Sequence, residues 1–358
     1  MQKVPRFSHL NQKDFVTALN VNVNQYFKDN RLSRHATPFM VFKSGVYLSL
    51  WLGSYSLLLL GAYDIPGMYM LWAILGVSLA MVTINIGHDA IHGAYSRHKW
   101  VNNLLSHTFN LNGASAYMWV KMHNQAHHTY TNVDGFDEDI APIPIIRISP
   151  LKKRWRIHKY QYIYAFVLYG LTTLSWIFIK DYKKFFINEV GNYSGKKHPT
   201  KEYFFLFFYK FINYTLFLVI PLWVIDLHWG YVLSGFLLMH FIGGWLLAII
   251  FMLAHAVEET HFPNPDSEGS IEHCWTVHQL YTTANFSSRS KVLAFITGGL
   301  NTQIEHHLFP NICSVHYPAL TVIVRETAQL HKIPYYESSL ASALVSHQRF
   351  LWKMGNQD

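Results

Sequence analysis

Four long stretches of this 358-residue chain are almost free of charge, and that rules out an ordinary water-soluble domain. Ser44–Tyr63, Ile65–Gly87 and Leu227–Ala254 contain no Asp, Glu, Lys or Arg, and Tyr203–Ile225 contains only Lys210. Each reaches the ~20 residues that carry a helix across ~30 Å of hydrocarbon. The stretches come in pairs, divided by short links at Asp64 and Asp226 that hold no Lys or Arg. A link that short makes a helical hairpin, which returns the chain to the side it left. Composition agrees, with charged residues at 14% where soluble domains carry about 25%. The expectation is an all-α integral membrane protein. Its four transmembrane helices, about 44–63, 65–87, 203–225 and 227–254, form two hairpins.

The remaining segments fit around that frame. Residues 1–43 form a polar, cytosolic N-terminal segment. Within it Phe15, Leu19, Val23 and Tyr26 recur at helical spacing, which suits a helix packed on the protein or lying on a membrane surface. Trp100–Val120 is uncharged but rich in Asn and Ser, too polar for lipid, and reads as interfacial. Tyr160–Ile179 is apolar, yet Lys152–Lys159 precedes it and Lys180, Lys183 and Lys184 follow. Basic flanks favour the cytoplasmic side, so this segment reads as interfacial or re-entrant. A Lys near a helix end, as Lys210 is, can snorkel to the interface. The membrane domain runs over 44–316, and 317–358 forms cytosolic C-terminal helices that complete a helical cap. The net charge of +8 lies in loops beside apolar segments. It suits an anionic leaflet or an acidic redox partner rather than nucleic acid. Cys274 and Cys313 form no CxxC pair and fit a reducing compartment.

Three histidine clusters fall at the ends of these stretches, all on the side to which both hairpins open: HDAIH (His88, His92), HNQAHH (His123, His127, His128) and QIEHH (Gln303, His306, His307). On a helix, residues three or four apart share one face, so each cluster presents its imidazoles together. Imidazole suits iron, copper, zinc and nickel. The clusters hold seven histidines, too many for one ion, and two metals are the economical count. His255, at the end of the last stretch, and His278, in CWTVHQLYTTANF, are candidates to complete a coordination shell, with Asn285 in the same stretch. Asp89, Asp137, Glu138, Asp139, Glu258 and Glu305 are placed to orient imidazole N–H groups. Histidines without such company (His9, His35, His98, His107, His158, His198, His228 and His316) read as surface or core residues.

HDAIH, HNQAHHTYTNVDGFDEDI and GGLNTQIEHHLFPNI resemble the three histidine boxes of the membrane fatty acid desaturases. The glutamine that opens the third resembles the front-end, linoleoyl-CoA or Δ5/Δ6 branch. The resemblance covers roughly residues 40–330. It implies four transmembrane helices under a cytosolic cap and two non-haem irons held by His88, His92, His123, His127, His128, His306 and His307. It implies a reaction in which O2 and two electrons place a cis double bond in a long-chain acyl-CoA or acyl-lipid. Gln303 stands where other branches have histidine. Many eukaryotic front-end enzymes carry a fused cytochrome b5 with a His-Pro-Gly-Gly motif; here the only His-Pro, His198-Pro199, is followed by Thr200. The expected layout is the bacterial one, in the inner membrane with the site facing the cytoplasm. A separate ferredoxin or cytochrome b5 would supply the electrons.

Two rivals compete. A di-iron fatty acyl or lipid hydroxylase would share the same core. A proton or metal transporter would need histidines well inside its spans, where only His240 lies.

Overall fold

The computed structural model describes residues 4–8, 12–140, 143–187, 189–190, 193–194 and 197–357; His9 lies outside them. Among these, three helices are long and apolar enough to cross a membrane: Ile65–Ile91, Thr200–Val224 and Trp229–His255. A fourth span exists if Arg156–Tyr169 and Thr172–Phe186, bent by 74°, count as one. The break falls at Gly170-Leu171, inside the segment expected to be re-entrant. The first expected span, 44–63, falls mostly in helix Pro38–Leu60, which ends three residues earlier; that helix has the length but does not join the three. Lys43 and the serines at 44, 49, 54 and 56 dilute its apolar character.

Short capped links join consecutive long helices. After Pro38–Leu60 the chain turns through Gly61 in the left-handed region (φ 69°). It restarts where the Asp64 side chain accepts from Gly67 N at 2.9 Å. The next pair turns at His228, whose ring accepts from Gly230 N. Ile65–Ile91 and Trp229–His255 approach so closely that a Cβ on Gly76 would strike the Met239 carbonyl, the small-residue contact membrane helices favour. Thr200–Val224 leaves Phe204, Phe211 and Trp223 62%, 66% and 85% exposed. So much bare aromatic surface on one helix calls for a non-aqueous neighbour.

Lys210 departs from expectation. It does not snorkel outward. Its ammonium is buried, donates to the carbonyls of Gly113 (2.6 Å) and Trp176 (2.7 Å), and pairs with Asp181 at 2.7 Å. An intramembrane cation that finds carbonyls and a carboxylate needs no route to water. The N-terminal helix Lys13–Asp29 packs Phe15, Leu19, Val23 and Phe27 against helix Tyr317–Leu330. A last helix, Leu340–Asn356, lies beside Arg156–Tyr169. The described strands form only two-stranded ladders. One joins Ala284–Phe286 to Tyr336–Ser338, which ties the segment before the third histidine cluster to the C-terminal region.

Candidate metal centre

All three histidine clusters converge in space, and the local backbone decides where each ring goes. His88 and His92 lie on one helical turn, His92 N bonding His88 O at 3.1 Å, with ring centroids 4.7 Å apart. The second cluster is not an α-helical turn. Val120–His127 is a π-helix, and His128 N bonds His123 O, five residues back, at 2.9 Å. Such wide turns concentrate at functional sites. Here the wide turn brings His123 and His128, not His123 and His127, nitrogen to nitrogen at 3.1 Å. In helix Gln303–Leu308 the adjacent His306 and His307 point about 100° apart around the axis.

The result is two groups of ring nitrogens, each within 4.8 Å. His88, His92, His123 and His306 form one; His127, His255 and His307 form the other. His128 stands between, its ring 4.6 Å from that of His306 and 4.4 Å from that of His307. His123 and His127 also make a compact group with Asp139. The Nε2 atoms of His92, His127, His255, His306 and His307 are buried and have no hydrogen-bond partner. Buried nitrogens are almost always satisfied, so five orphans in one cluster fit metal ligands. Burial first, then the neighbouring imidazoles, hold His92, His123, His128, His306 and His307 well below the usual imidazole pKa. They are neutral near pH 7, the form that ligates metal.

In four of the five rings with an orphaned Nε2 the opposite nitrogen is engaged, which fixes ring orientation. His127 Nδ1 donates to both Asp137 oxygens at 3.0 Å, and Asp137 also accepts from the Asn132 and Asp139 amides. Burial works against charge on His127, but Asp137 outweighs it and raises the pKa. His123 Nδ1 donates to Asp139 at 3.1 Å. His306 Nδ1 meets Tyr317 Oη at 3.2 Å, His307 Nδ1 meets Gln279 Oε1 at 2.8 Å, and His255 Nδ1 donates to the Thr282 carbonyl. Tyr317 and Gln279 escaped the sequence reading. The signal for Gln279 was its position beside His278, the residue singled out instead.

Other candidates sit differently. His278 joins neither group; its Nε2 donates to the Thr131 carbonyl at 2.9 Å. Gln303 is buried with both amide atoms unpartnered. Glu305 turns away from the rings to accept from Asn285 and Tyr335, and burial pushes its pKa up to about 7. Asp89 accepts from Cys313 Sγ, Ser314 N and Ser314 Oγ, tying the first cluster to the loop after the third. Glu138 pairs with Lys184, and Glu258 with Lys353 and Arg349, both away from the rings.

An apolar cavity of about 150 Å³ lies beside this centre. Trp119, Trp176, Leu247 and Phe251 line it with Asp139 and Lys180. Trp119 and Phe251 touch the His123 ring, with centroids at 4.8 and 5.7 Å. Membrane-length helices, two histidine groups that could hold metal ions and an apolar cavity beside them fit a metal-dependent enzyme of apolar chains.

Comparison with known proteins narrows this class. The family model described as fatty acid desaturase matches residues 65–339. The chain is 34% identical to an acyl-lipid (8-3)-desaturase of Physcomitrium patens, over 98% of this chain and 73% of that one. It is 32% identical to a sn-1 linoleoyl-lipid 6-desaturase of Synechocystis sp., over 99% of both, and 30% identical to the Delta(5) fatty acid desaturase A of Dictyostelium discoideum, over 98% and 77%. The chain belongs to the fatty acid desaturase family and is an oxidoreductase of fatty acyl chains. These relatives are named as desaturases, which does not favour the hydroxylase alternative.

Proposed function

We propose that this protein is a front-end acyl-lipid desaturase whose two irons are held by the two histidine groups. His88, His92, His123 and His306 would hold one; His127, His255 and His307 the other, with His128 between them. The observation that carries this reading is the set of five buried, orphaned Nε2 atoms, with an apolar cavity whose Trp119 and Phe251 pack on His123. When bound, the irons would activate dioxygen, the oxidant, so that an unactivated methylene C–H bond can be broken. Two hydrogens leave adjacent carbons. Dioxygen takes them up with two electrons and two protons, forming two waters and a cis double bond.

The protein's own residues do the positioning. Trp119, Trp176 and Phe251 hold the acyl chain beside His123 and keep water from it. Asp137 and Asp139 accept the Nδ1 protons of His127 and His123 and so hold the ring edges toward the metals. Beside the cavity lies a second recess of about 450 Å³ that shares Ile143, Ile146, Ser175 and Lys180 with it. Lysines 152, 153, 183 and 184 also line it, although Lys152, Lys180 and Lys184 already face Asp134, Asp139 and Glu138. It supports a substrate whose tail fills the cavity while its polar head stays at this basic mouth.

The membrane arrangement completes the proposal. Pro38–Leu60 pairs with Ile65–Ile91 and Thr200–Val224 with Trp229–His255 as two hairpins, and the bent Arg156–Phe186 segment is re-entrant. The basic loops and the centre face the cytoplasm of a bacterial inner membrane, where a separate ferredoxin or cytochrome b5 delivers electrons. The test is expression with such a donor, feeding of saturated, mono- and diunsaturated acids, and gas chromatography–mass spectrometry. A new double bond, absent in His127→Ala, supports the reading. A hydroxylated product, or purified protein without iron, overturns it.

A further inference from the structure

A second ligand site lies away from the histidines. A recess of about 600 Å³ is lined by the start of helix Pro38–Leu60, the segment 288–295 and helix Tyr317–Leu330. Lys43, Arg289, Lys291 and Arg325 line it, and no carboxylate does. Arg325 is held by Glu337 at 2.5 Å. Lys43, Arg289 and Lys291 make no side-chain hydrogen bond or ion pair among the described residues. Lys43 is the telling one. It is only 3% exposed, and its ammonium stands over the rings of Phe295 (5.9 Å) and Tyr47 (6.0 Å). A buried ammonium without an anion is costly. Its Coulombic partner Asp89 makes no ion pair with it and is already taken by Cys313 and Ser314.

The same recess is lined by Phe39, Val292 and Val322, which are 55%, 68% and 48% exposed. An occupant that satisfies both halves carries an anionic head and an apolar tail. Several cations lining one recess favour a phosphate, with its multiple acceptor oxygens, over a single carboxylate. We propose that this recess binds the phosphate of an anionic membrane lipid, whose chain runs along Phe39, Val292 and Val322. Lys43 immediately precedes the uncharged stretch 44–63, the depth at which headgroups lie if Pro38–Leu60 enters the membrane; the inference rests on that part of the proposed function. Ser314 lines the recess and also donates to Asp89, so an occupied site braces the first histidine pair.

The test is native mass spectrometry of the iron-loaded protein in a neutral detergent, titrated with dioleoylphosphatidylglycerol, dioleoylglycerol or inorganic phosphate. One phosphatidylglycerol should be retained, at least about tenfold more tightly than dioleoylglycerol. Lys43→Met should weaken it by about tenfold, and the exposed pair Arg289→Gln/Lys291→Gln should weaken it too, which keeps the test alive should Lys43→Met fail to fold. Lys201→Gln, outside the recess, should change nothing. Equal retention of dioleoylglycerol, or retention indifferent to both variants, overturns the site. Displacement by millimolar inorganic phosphate overturns the lipid source. Binding is read without turnover, so failure here and failure of the desaturase reading are separate results.

Discussion

His306 and His307 are neighbours in sequence, yet their ring planes lie 82° apart and each joins a different histidine group that could hold a metal. One short helix therefore serves both groups, and neither can be assembled without it. His306→Ala and His307→Ala should each lose roughly half of the bound iron. Each should lower activity by at least about 100-fold, and the double variant should be little worse than either, because the residues act as a unit. Iron per chain, read by elemental analysis beside turnover, checks this. Full iron in either single variant would sink the two-group assignment.

Asp137 and Glu138 are adjacent acids with opposite duties. Asp137 is buried and holds His127 Nδ1 at 3.0 Å, whereas Glu138 reaches out to Lys184. Asp137→Asn should cut iron affinity or activity about 10–100-fold. Glu138→Gln removes a largely peripheral ion pair and should leave both within about twofold. A comparison of the two variants by iron titration separates ring orientation from general loss of charge.

Much of this site was legible because each histidine cluster is local. A box of five or six residues shows its candidate ligands without reference to the fold. What escaped depends on backbone geometry or on distant partners. The spacing of His123, His127 and His128 suggested an α-turn; the π-turn that swaps their neighbours leaves no mark in residue spacing. His255 could be flagged only as a histidine at the end of an apolar stretch, because His127 and His307 reach it through tertiary packing. Lys210 looked like a snorkelling residue because its carboxylate partner, Asp181, lies on another helix. The four stretches were readable from the absence of charge. Hydropathy separates Pro38–Leu60 from the other three, since length alone does not make a helix apolar.

The cavity wall offers a test of substrate placement. Ala248 lines the cavity beside Leu247 and is nearly buried. Ala248→Phe would fill part of the ≈150 Å³ without touching a histidine. Long acyl substrates should lose roughly tenfold or more in kcat/KM, from about 1–3 kcal/mol of overpacking, while iron content stays unchanged. Competition between acyl chains of different length, followed by product analysis, should show the shortest chains least affected. A uniform loss across chain lengths would place the substrate elsewhere.

The C-terminal helix carries a pH dependence of its own. His347 is fully buried, donating from Nδ1 to the Ala256 carbonyl at 2.7 Å and accepting at Nε2 from Tyr169 Oη at 2.8 Å. Burial lowers its pKa to about 4, against ~6.5 in an unfolded chain. Between these values the unfolded state binds the extra proton, so stability rises with pH. The contribution is complete above pH ~6.5 and is lost as pH falls toward 4; on the scale of 1.36 kcal/mol per unit it is at most about 3 kcal/mol. His347→Gln keeps a polar side chain but does not titrate. Thermal unfolding of both proteins in detergent should therefore give curves that run parallel above pH ~6.5. Below that the wild type should lose stability more steeply than the variant. Equal slopes through the acidic range would mean that His347 is not buried in its neutral form and that helix Leu340–Asn356 docks by other means.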